Sequence, residues 1–253
     1  MPGPFPEYQD ISVTDPLRQG DVIEAADPTA SMWQRQLVVI TADCDFAHAK
    51  HQGRVTCVPL LTAQEYLMEM LVPRLRERAT AKFIGVLRNV LPSAFAANVS
   101  EERLRDWPSE AEPDEITASL GLTGRDADVA RAALESIRLV RQPTQTLNEA
   151  VECLVAAYLA APNPQKRERI LRDIVGTLKN PYSQPPGDAL FLSAVAPRHD
   201  VGYFVYLRHL EQVWEKQIAI GPSKKASATD ASLVCMTATS THSCSVSHWY
   251  LCR

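Results

Sequence analysis

Short runs of apolar residues, many of them β-branched, occur near the start of the chain and again after residue 188. The most continuous run, Leu37-Val38-Val39-Ile40, is too short for a buried helix and is typical of a fully buried strand. It leads directly into a polar stretch that begins at Thr41. These runs predict strands over residues 21–26, 36–42, 55–61, 189–195 and 202–207. In the third strand Pro59 has no N–H to donate, which predicts a position at a sheet edge or near the strand end.

Between residues 62 and 182 the apolar residues instead recur every three or four positions, which is the period of a helix with one buried face. Thr144 is expected to cap one helix and Asn163-Pro164 to open the next. Helices are also expected over 62–78, with a break at Pro73, and over 82–91, while the acidic, proline-broken stretch over 108–113 is expected to be a linker. The long helices should pack as a bundle. The clearest stripe, in the helix predicted over 126–141, contains Val129, Ala130, Ala133, Leu134, Ile137 and Val140.

Composition places the chain among ordinary globular proteins. It has 253 residues, 45% of them apolar and 22% charged, and a net charge of −4, so no overall basic field indicates nucleic-acid binding. No apolar run approaches the length of a membrane span, and the first residues do not resemble a signal peptide. The six cysteines are scattered without a Cys-x-x-Cys pair. This pattern predicts reduced thiols in a cytoplasmic protein, with neither a cofactor nor a membrane partner.

The polar stretch after the central strand contains Thr41, Asp43, Cys44, Asp45 and His48. A rigid strand that ends in reactive side chains is a common way to build a site. A cysteine three residues from a histidine suggests a zinc site, but the ligand spacing fits no standard zinc finger. A Cys–His nucleophilic pair is disfavoured because the adjacent aspartates would raise the pKa of the thiol. The plainest alternative is that Cys44 is buried as a small apolar residue while the aspartates cap a turn.

Three motifs in a fixed order carry a resemblance to a known family. Gly20-Asp21-Val22, the stretch Arg35–Thr41 and Val58-Pro59-Leu60 resemble the N-terminal half of the PemK/MazF toxin family, and residues 202–221 resemble its last strands. Residues 39–45 are also similar to the Val-Ile-Ser-x-x-Cys-Asp signature of uncharacterised bacterial proteins. The chain departs from the PemK/MazF pattern at Gln36, where the family has proline, and in its long helical insert.

The resemblance implies an α+β protein in which a small SH3-like antiparallel β-barrel is split by a helical-bundle insertion. The expected domains are residues 17–62 (first half of the barrel), 63–182 (insertion), 183–221 (second half) and 222–253 (an irregular tail). The family's toxins are ribonucleases, so the resemblance also implies RNA as a ligand and an antitoxin or another protein as a partner. It assigns phosphate binding to Arg35 and a phosphate or 2′-OH contact to the hydroxyl of Thr41.

RNA cleavage without a metal ion needs a base for the 2′-OH and a cation for the charge that develops on the phosphate. Arg35 supplies the cation, and Asp43, Asp45 or His48 supplies the base. We expect Arg35, Thr41, Asp43 and Asp45 at one mouth of the barrel. Two classes of function stay open at this point. One is an endoribonuclease of a toxin or phage-defence type, and the other is a non-catalytic module that binds a protein or a nucleic acid.

The tail has an unusual composition. From Leu233 onward no Asp, Glu, Lys or Arg occurs before Arg253, and Ser, Thr and Cys dominate. Such a segment has little apolar surface to bury, which predicts weak packing. Codons for Cys, Trp, Tyr and most Ser codons begin with T, and a shift that makes this base the middle base of a codon encodes Leu, Ile, Val, Met or Phe. Our hypothesis is therefore that the tail is a frameshifted remnant of an amphipathic helix, with its apolar stripe at Ser240, Ser243, Cys244 and Ser247.

Overall fold

The structure is a computed structural model that describes residues 15–195, 201–220 and the strand Leu233–Cys235. The chain forms two compact units. The β unit contains the residues up to Tyr66 and those from Pro181 onward, and the helical unit is Leu67–Asn180. The unit boundaries lie within a few residues of the predicted barrel and insertion limits.

The β unit is built on one sheet whose neighbours follow the order β4-β5-β3-β2-β1-β8-β7, with β6 also paired to β3. All described pairs are antiparallel except β7 with β8. The five predicted strands therefore share one sheet, as expected, and the protein is of the α+β class. The sheet is not closed among the described strands, so the structure does not confirm the expected SH3-like barrel. The strands are β1 (Val22–Ala25), β2 (Gln36–Val39), β3 (Arg54–Thr62), β4 (Ala189–Leu192), β5 (Tyr203–Tyr206), β6 (Glu211–Trp214), β7 (Ile218–Ile220) and β8 (Leu233–Cys235).

Strand β2 is buried on both faces, as its continuous apolar run predicts. Leu37 and Val39 pack into a core on one face, together with Ile23 and Cys57. Val38 packs into a second core on the other face. Because alternate side chains point to opposite faces, an alternating apolar and polar pattern would leave one of these cores unfilled.

Pro59 lies in the middle of β3, paired with Leu37, so the predicted position at an edge or strand end is wrong. On the other side of β3, strand β6 pairs with residues 54–57 and β5 with residues 60–62. The ladder between them is interrupted over residues 207–210, opposite Pro59. A proline is tolerated at such a gap because its missing N–H faces a place where regular pairing has already stopped.

Three short helices and one 3₁₀ turn accompany the sheet. Helix α1 (Met32–Arg35) immediately precedes β2, α2 (Asp43–Ala47) follows it, and α3 (Ala63–Tyr66) follows β3. The 3₁₀ turn, Glu215–Gln217, joins β6 to β7. The polar stretch predicted as a site therefore forms α2 and the segments next to it.

The helical unit packs around one apolar core that includes Phe83, Leu104, Leu134 and Leu154, each fully buried. The stripe predicted over 126–141 supplies Ala130, Ala133, Leu134, Ile137 and Val140 to this core, so this segment is helical as predicted. The unit begins with a π-helical turn, Leu67–Leu71. Its helices are α4 (Val72–Arg88), α5 (Ser93–Ala96), α6 (Glu101–Glu110), α7 (Pro113–Ser119), α8 (Gly124–Val140), α9 (Leu147–Ala160) and α10 (Arg167–Ser183).

Several predicted helix boundaries are wrong. Pro108 lies buried inside α6, so the stretch over 108–113 is not a linker; burial of the proline ring offsets the hydrogen bond that it cannot donate. Thr146, whose hydroxyl accepts the N–H of Glu149, caps α9 instead of Thr144, which accepts a hydrogen bond from Arg76 at 2.7 Å. Asn163-Pro164 precedes α10 without opening it.

The tail lies outside the described residues except for β8, which pairs with β1 and β7. The predictions of weak packing and of a frameshift fall on the residues that are not described. Among the described helices, none combines the length and the apolar character needed to cross a bilayer.

Candidate functional site

Polar side chains gather at both ends of β2. The carboxylate cluster, at the end that leads into α2, consists of Asp21, Asp43, Asp45, His51 and Glu215. The arginine cluster extends from α1 to the start of β6 and consists of Trp33, Arg35, Thr62, Glu65, Tyr206, His209 and Glu211.

Thr41 is buried and its hydroxyl is occupied by the backbone of Thr56. The hydroxyl accepts a hydrogen bond from the Thr56 N–H at 2.7 Å and lies 3.4 Å from the Thr56 carbonyl, to which it donates. This bridge joins the segment after β2 to β3. The hydroxyl of Thr41 therefore has a structural role and is not presented to a phosphate.

Asp43 is exposed, and one of its oxygens accepts the N–H of Gln19 at 2.8 Å. Nearby, Asp21 is 1% exposed, and its Oδ2 accepts the N–H of Arg18 at 2.7 Å. The other oxygen of Asp21 has no hydrogen-bond partner among the described residues. Burial raises the pKa of Asp21 to about 6, and the negative charge of Asp43 adds to this effect, although the Arg18 N–H opposes it.

His51 joins α2 to the 3₁₀ turn after β6. Its Nδ1 lies 3.2 Å from the carbonyl oxygen of Asp45, and its Nε2 lies 2.8 Å from Oε2 of Glu215. These two acceptors raise the pKa of His51, with Glu215 the larger cause. His48 is exposed at the end of α2, and its side chain makes no hydrogen bond within the described part of the chain. The histidine that this site positions is therefore His51, which the sequence argument did not select as a base.

Cys44 is exposed, so the expectation of a buried, apolar Cys44 is wrong. Its thiol lies 3.9 Å from Oδ1 of Asp45. Among the described residues no three His, Cys, Asp or Glu side chains are arranged to hold a metal ion. The zinc site considered from the sequence is therefore not present in that part of the chain.

Arg35 forms an ion pair with Oε1 of Glu65, the third residue of α3. Oε2 of Glu65 accepts the N–H of Thr62 at 2.9 Å and its hydroxyl at 2.8 Å, and the Thr62 hydroxyl lies 3.3 Å from the Glu65 N–H. Thr62 and Glu65 thus form a capping box at the start of α3. Burial raises the pKa of Glu65, but the hydrogen bonds from Arg35 and Thr62 outweigh it and hold the pKa below its ordinary value. The Arg35 side chain remains 39% exposed.

Trp33, on the same helical turn as Arg35, stacks on His209 with the ring centroids 5.2 Å apart and the planes 13° from parallel. The ring of Tyr206 lies 5.8 Å from that of Trp33. Nε2 of His209 in turn lies 2.8 Å from Oε1 of Glu211. The imidazole is therefore oriented both by an aromatic face and by a carboxylate.

The structure does not bring the five predicted site residues together. Arg35 precedes β2 and Thr41 follows it, so the whole of that four-residue strand separates them. No contact among the described residues joins Arg35 to Asp43 or Asp45, so their shared mouth stays a prediction. Glu65 and His209 were not predicted as site residues. Glu65 had a recognisable sequence signal, the Thr62-x-x-Glu65 capping box. His209 had none, because its contact with Trp33 depends on the pairing of β5 with β3.

No protein-family model, no curated protein and no solved structure matches this chain. The PemK/MazF resemblance therefore rests on the short motifs of the sequence. The function has to be argued from the two clusters themselves.

The two clusters suit different chemistry. In the carboxylate cluster Glu215 and Asp45 act on His51 while Asp43 acts on Asp21, so negative charge predominates, which repels phosphate. The arginine cluster contains a half-exposed guanidinium and an oriented imidazole. These two groups are the types that phosphodiester cleavage needs, so the arginine cluster is the better candidate for a nucleic-acid site.

Proposed function

We propose that the protein is an endoribonuclease that cleaves RNA without a metal ion and that its active site is the arginine cluster. The single observation that carries this proposal is the placement of Arg35 and Trp33 on one helical turn, with Trp33 stacked on the His209–Glu211 pair. This arrangement places a cation for the phosphate and an oriented base on neighbouring parts of one surface.

The strand order supports this arrangement. The start of β2 and the end of β5 lie on opposite sides of β3. Neighbouring strands are about 4.8 Å apart, so the two points are separated by roughly 10 Å, a gap that the long side chains of Arg35 and His209 can narrow. Trp33 reaches across this gap to His209.

Each residue has a definite role in the proposed reaction. His209 accepts the proton of the 2′-OH, whose oxygen attacks the adjacent phosphorus. The bond from phosphorus to the 5′-oxygen breaks, the leaving oxygen takes a proton from water, and a 2′,3′-cyclic phosphate remains. Arg35 stabilises the negative charge that builds up on the phosphate, Glu211 orients the imidazole, and Glu65 positions the guanidinium. Glu65 is a weaker candidate than His209 for the base, because its lowered pKa makes the carboxylate a weak proton acceptor.

We also propose the finer fold assignment, an SH3-like barrel of the PemK/MazF type with an inserted helical unit. Strands β1, β2 and β3 form an antiparallel meander, and β5 and β6 return to the free side of β3. This topology, together with the order of the sequence motifs, supports the assignment.

The test is incubation of the full-length protein with single-stranded RNA in EDTA, with Arg35→Ala and His209→Ala variants. Arg125→Ala is the matched control, because Arg125 is an exposed arginine of the helical unit. We expect cleavage by the wild-type and control proteins and a loss of roughly 10²-fold or more in both site variants. This is the usual effect of removing a catalytic base, here His209, or a group that stabilises transition-state charge, here Arg35. Undiminished cleavage by Arg35→Ala would refute the proposed site.

A second candidate function, a non-catalytic binding module, is favoured by the pairing of charges around the site. Arg35 is paired with Glu65, His209 with Glu211, and Arg208 with Asp188 at 2.8 Å. This leaves little net positive charge to attract a polyanion. Wild-type protein that leaves labelled RNA intact and does not shift its fluorescence anisotropy would support a module for a protein partner over the endoribonuclease.

A further inference from the structure

The helical unit contains a pocket of about 220 Å³ between α4, α9 and α10, independent of the site proposed above. Its apolar surface comes from Leu75, Leu154, Ile170 and Ile174. The last three are buried side chains of the core, so the pocket is an indentation in that core. An apolar floor with a few polar groups at the rim is the usual composition of a small-molecule site.

Two basic side chains lie at the rim of the pocket. Arg78 and Lys82 both line the pocket and are exposed, and they lie one turn apart on the same face of α4. Neither forms an ion pair with a described residue, and like charges four residues apart on a helix disfavour each other. Six other arginines of the helical unit are paired with carboxylates, namely Arg103, Arg105, Arg131, Arg138, Arg141 and Arg167.

An aromatic side chain, Tyr158, lies next to one of these cations. Nζ of Lys82 lies 4.6 Å from the centroid of Tyr158, and the ring of Tyr158 packs edge-on against Phe83 at 5.3 Å. Burial raises the pKa of Tyr158, with a smaller contribution from the negative charge of Asp173, so the phenol stays neutral at pH 7. The rim therefore offers a hydrogen-bonding hydroxyl beside an ammonium group.

We propose that this pocket binds a small organic anion that has an aromatic or aliphatic body and one acidic head group. The body contacts the apolar floor and the face of Tyr158, and the head group lies between Arg78 and Lys82. Pockets for drug-sized ligands measure roughly 300–1,000 Å³, so a pocket of about 220 Å³ suits a smaller body of about two rings. Asp173 also lines the pocket and opposes the anion, but the two cations outnumber it.

The test is calorimetric titration of the full-length protein with 1-naphthoate, 1-naphthyl phosphate and neutral 1-naphthol. The carboxylate and the phosphate distinguish the two kinds of head group, and the alcohol measures the contribution of the ring alone. We expect at least one anion to bind at least tenfold more tightly than 1-naphthol. Equal affinity for all three probes, or no binding of either anion, would overturn the proposal.

Substitutions of residues that line the pocket test whether the anion binds there. We expect the double variant R78A/K82A to weaken anion binding at least tenfold, whereas R74A/R88A, which removes two charges from the same helix at positions that do not line the pocket, leaves it unchanged.

Asp173→Asn should tighten binding of the anion. Thr177→Phe, which places a large side chain in the pocket wall, should abolish binding of all three probes while circular dichroism shows an intact fold. Equal weakening by both double variants would mean that binding follows overall charge and would refute the pocket.

Discussion

Arg35 and Glu65 form an ion pair although thirty positions separate them in the sequence. The contact joins the residue before β2 to the capping box of α3. Glu65→Gln retains a side chain that can complete a capping box but removes the charge that neutralises Arg35. We expect this variant to bind RNA several-fold more tightly at low salt, because the freed guanidinium can replace a counterion of the phosphate. Fluorescence anisotropy with labelled RNA measures the change.

The stability of the same variant provides a control. Because Arg35 is 39% exposed, loss of the ion pair should cost less than about 1 kcal/mol of unfolding free energy. Glu65→Ala also removes the capping interaction and should cost about 1 kcal/mol more. Equal stability of the two variants in urea denaturation would contradict the role assigned to the capping box.

The buried carboxyl of Asp21 should make stability depend on pH. Its pKa is about 6 in the folded protein and 3.8 ordinarily, so the folded state favours the protonated form. The contribution of this group to stability is complete below pH 3.8 and is lost as the pH rises through about 6. The shift corresponds to a loss of about 3 kcal/mol. We expect Asp21→Asn, which cannot ionise, to be more stable than the wild type at pH 7 and to lack this dependence.

Urea denaturation of the wild type and Asp21→Asn between pH 4 and pH 7 isolates the effect, because every other titrating group is common to both proteins. Asp43→Asn should reduce the difference in unfolding free energy between the proteins with Asp21 and with Asn at that position, since the charge of Asp43 contributes to the raised pKa of Asp21. Parallel stability curves for the wild type and Asp21→Asn would contradict the prediction.

Thr41→Val tests whether the Thr41 hydroxyl has a structural or a catalytic role. The substitution leaves the N–H of Thr56 without its partner at 2.7 Å, which should cost about 1–3 kcal/mol of unfolding free energy. RNA cleavage per folded molecule should not change. A large loss of cleavage with unchanged stability would restore the assignment that the sequence resemblance suggested.

Glu215→Gln should lower the pKa of His51 toward its ordinary value, because Glu215 is the largest cause of the raised pKa. In the wild type the raised pKa means that the His51–Glu215 contact stabilises the fold at low pH and that this contribution is lost as the pH rises through the folded-state pKa. The imidazole proton resonances in an NMR titration measure the pKa directly. His48→Gln is the control, since exposed His48 makes no hydrogen bond within the described residues and its removal should leave the His51 titration unchanged.

The elements of both units were predictable from the sequence because the signals for them are local. Four consecutive apolar residues at Leu37–Ile40 require a strand with two covered faces, and the structure places a core on each face. The stripe from Ala130 to Val140 likewise predicts α8 within two residues at its start and one at its end. Periodicity depends on neighbouring positions, so it can be recognised without knowledge of the fold.

The arrangement of the site was decided by tertiary structure. Arg35 and Thr41 are close in sequence, but strand β2 lies between them. The chain after β3 brings Glu65 to Arg35, and the chain after β5 brings His209 to Trp33. The same dependence on packing explains Pro108, whose buried ring stabilises a helix that its backbone alone would interrupt. The sequence by itself thus determined strands β1 to β5, the long helices α8, α9 and α10, and the apolar side chains that these elements bury. Only the pairing of distant strands determined which polar side chains meet, because those contacts depend on register and not on local periodicity.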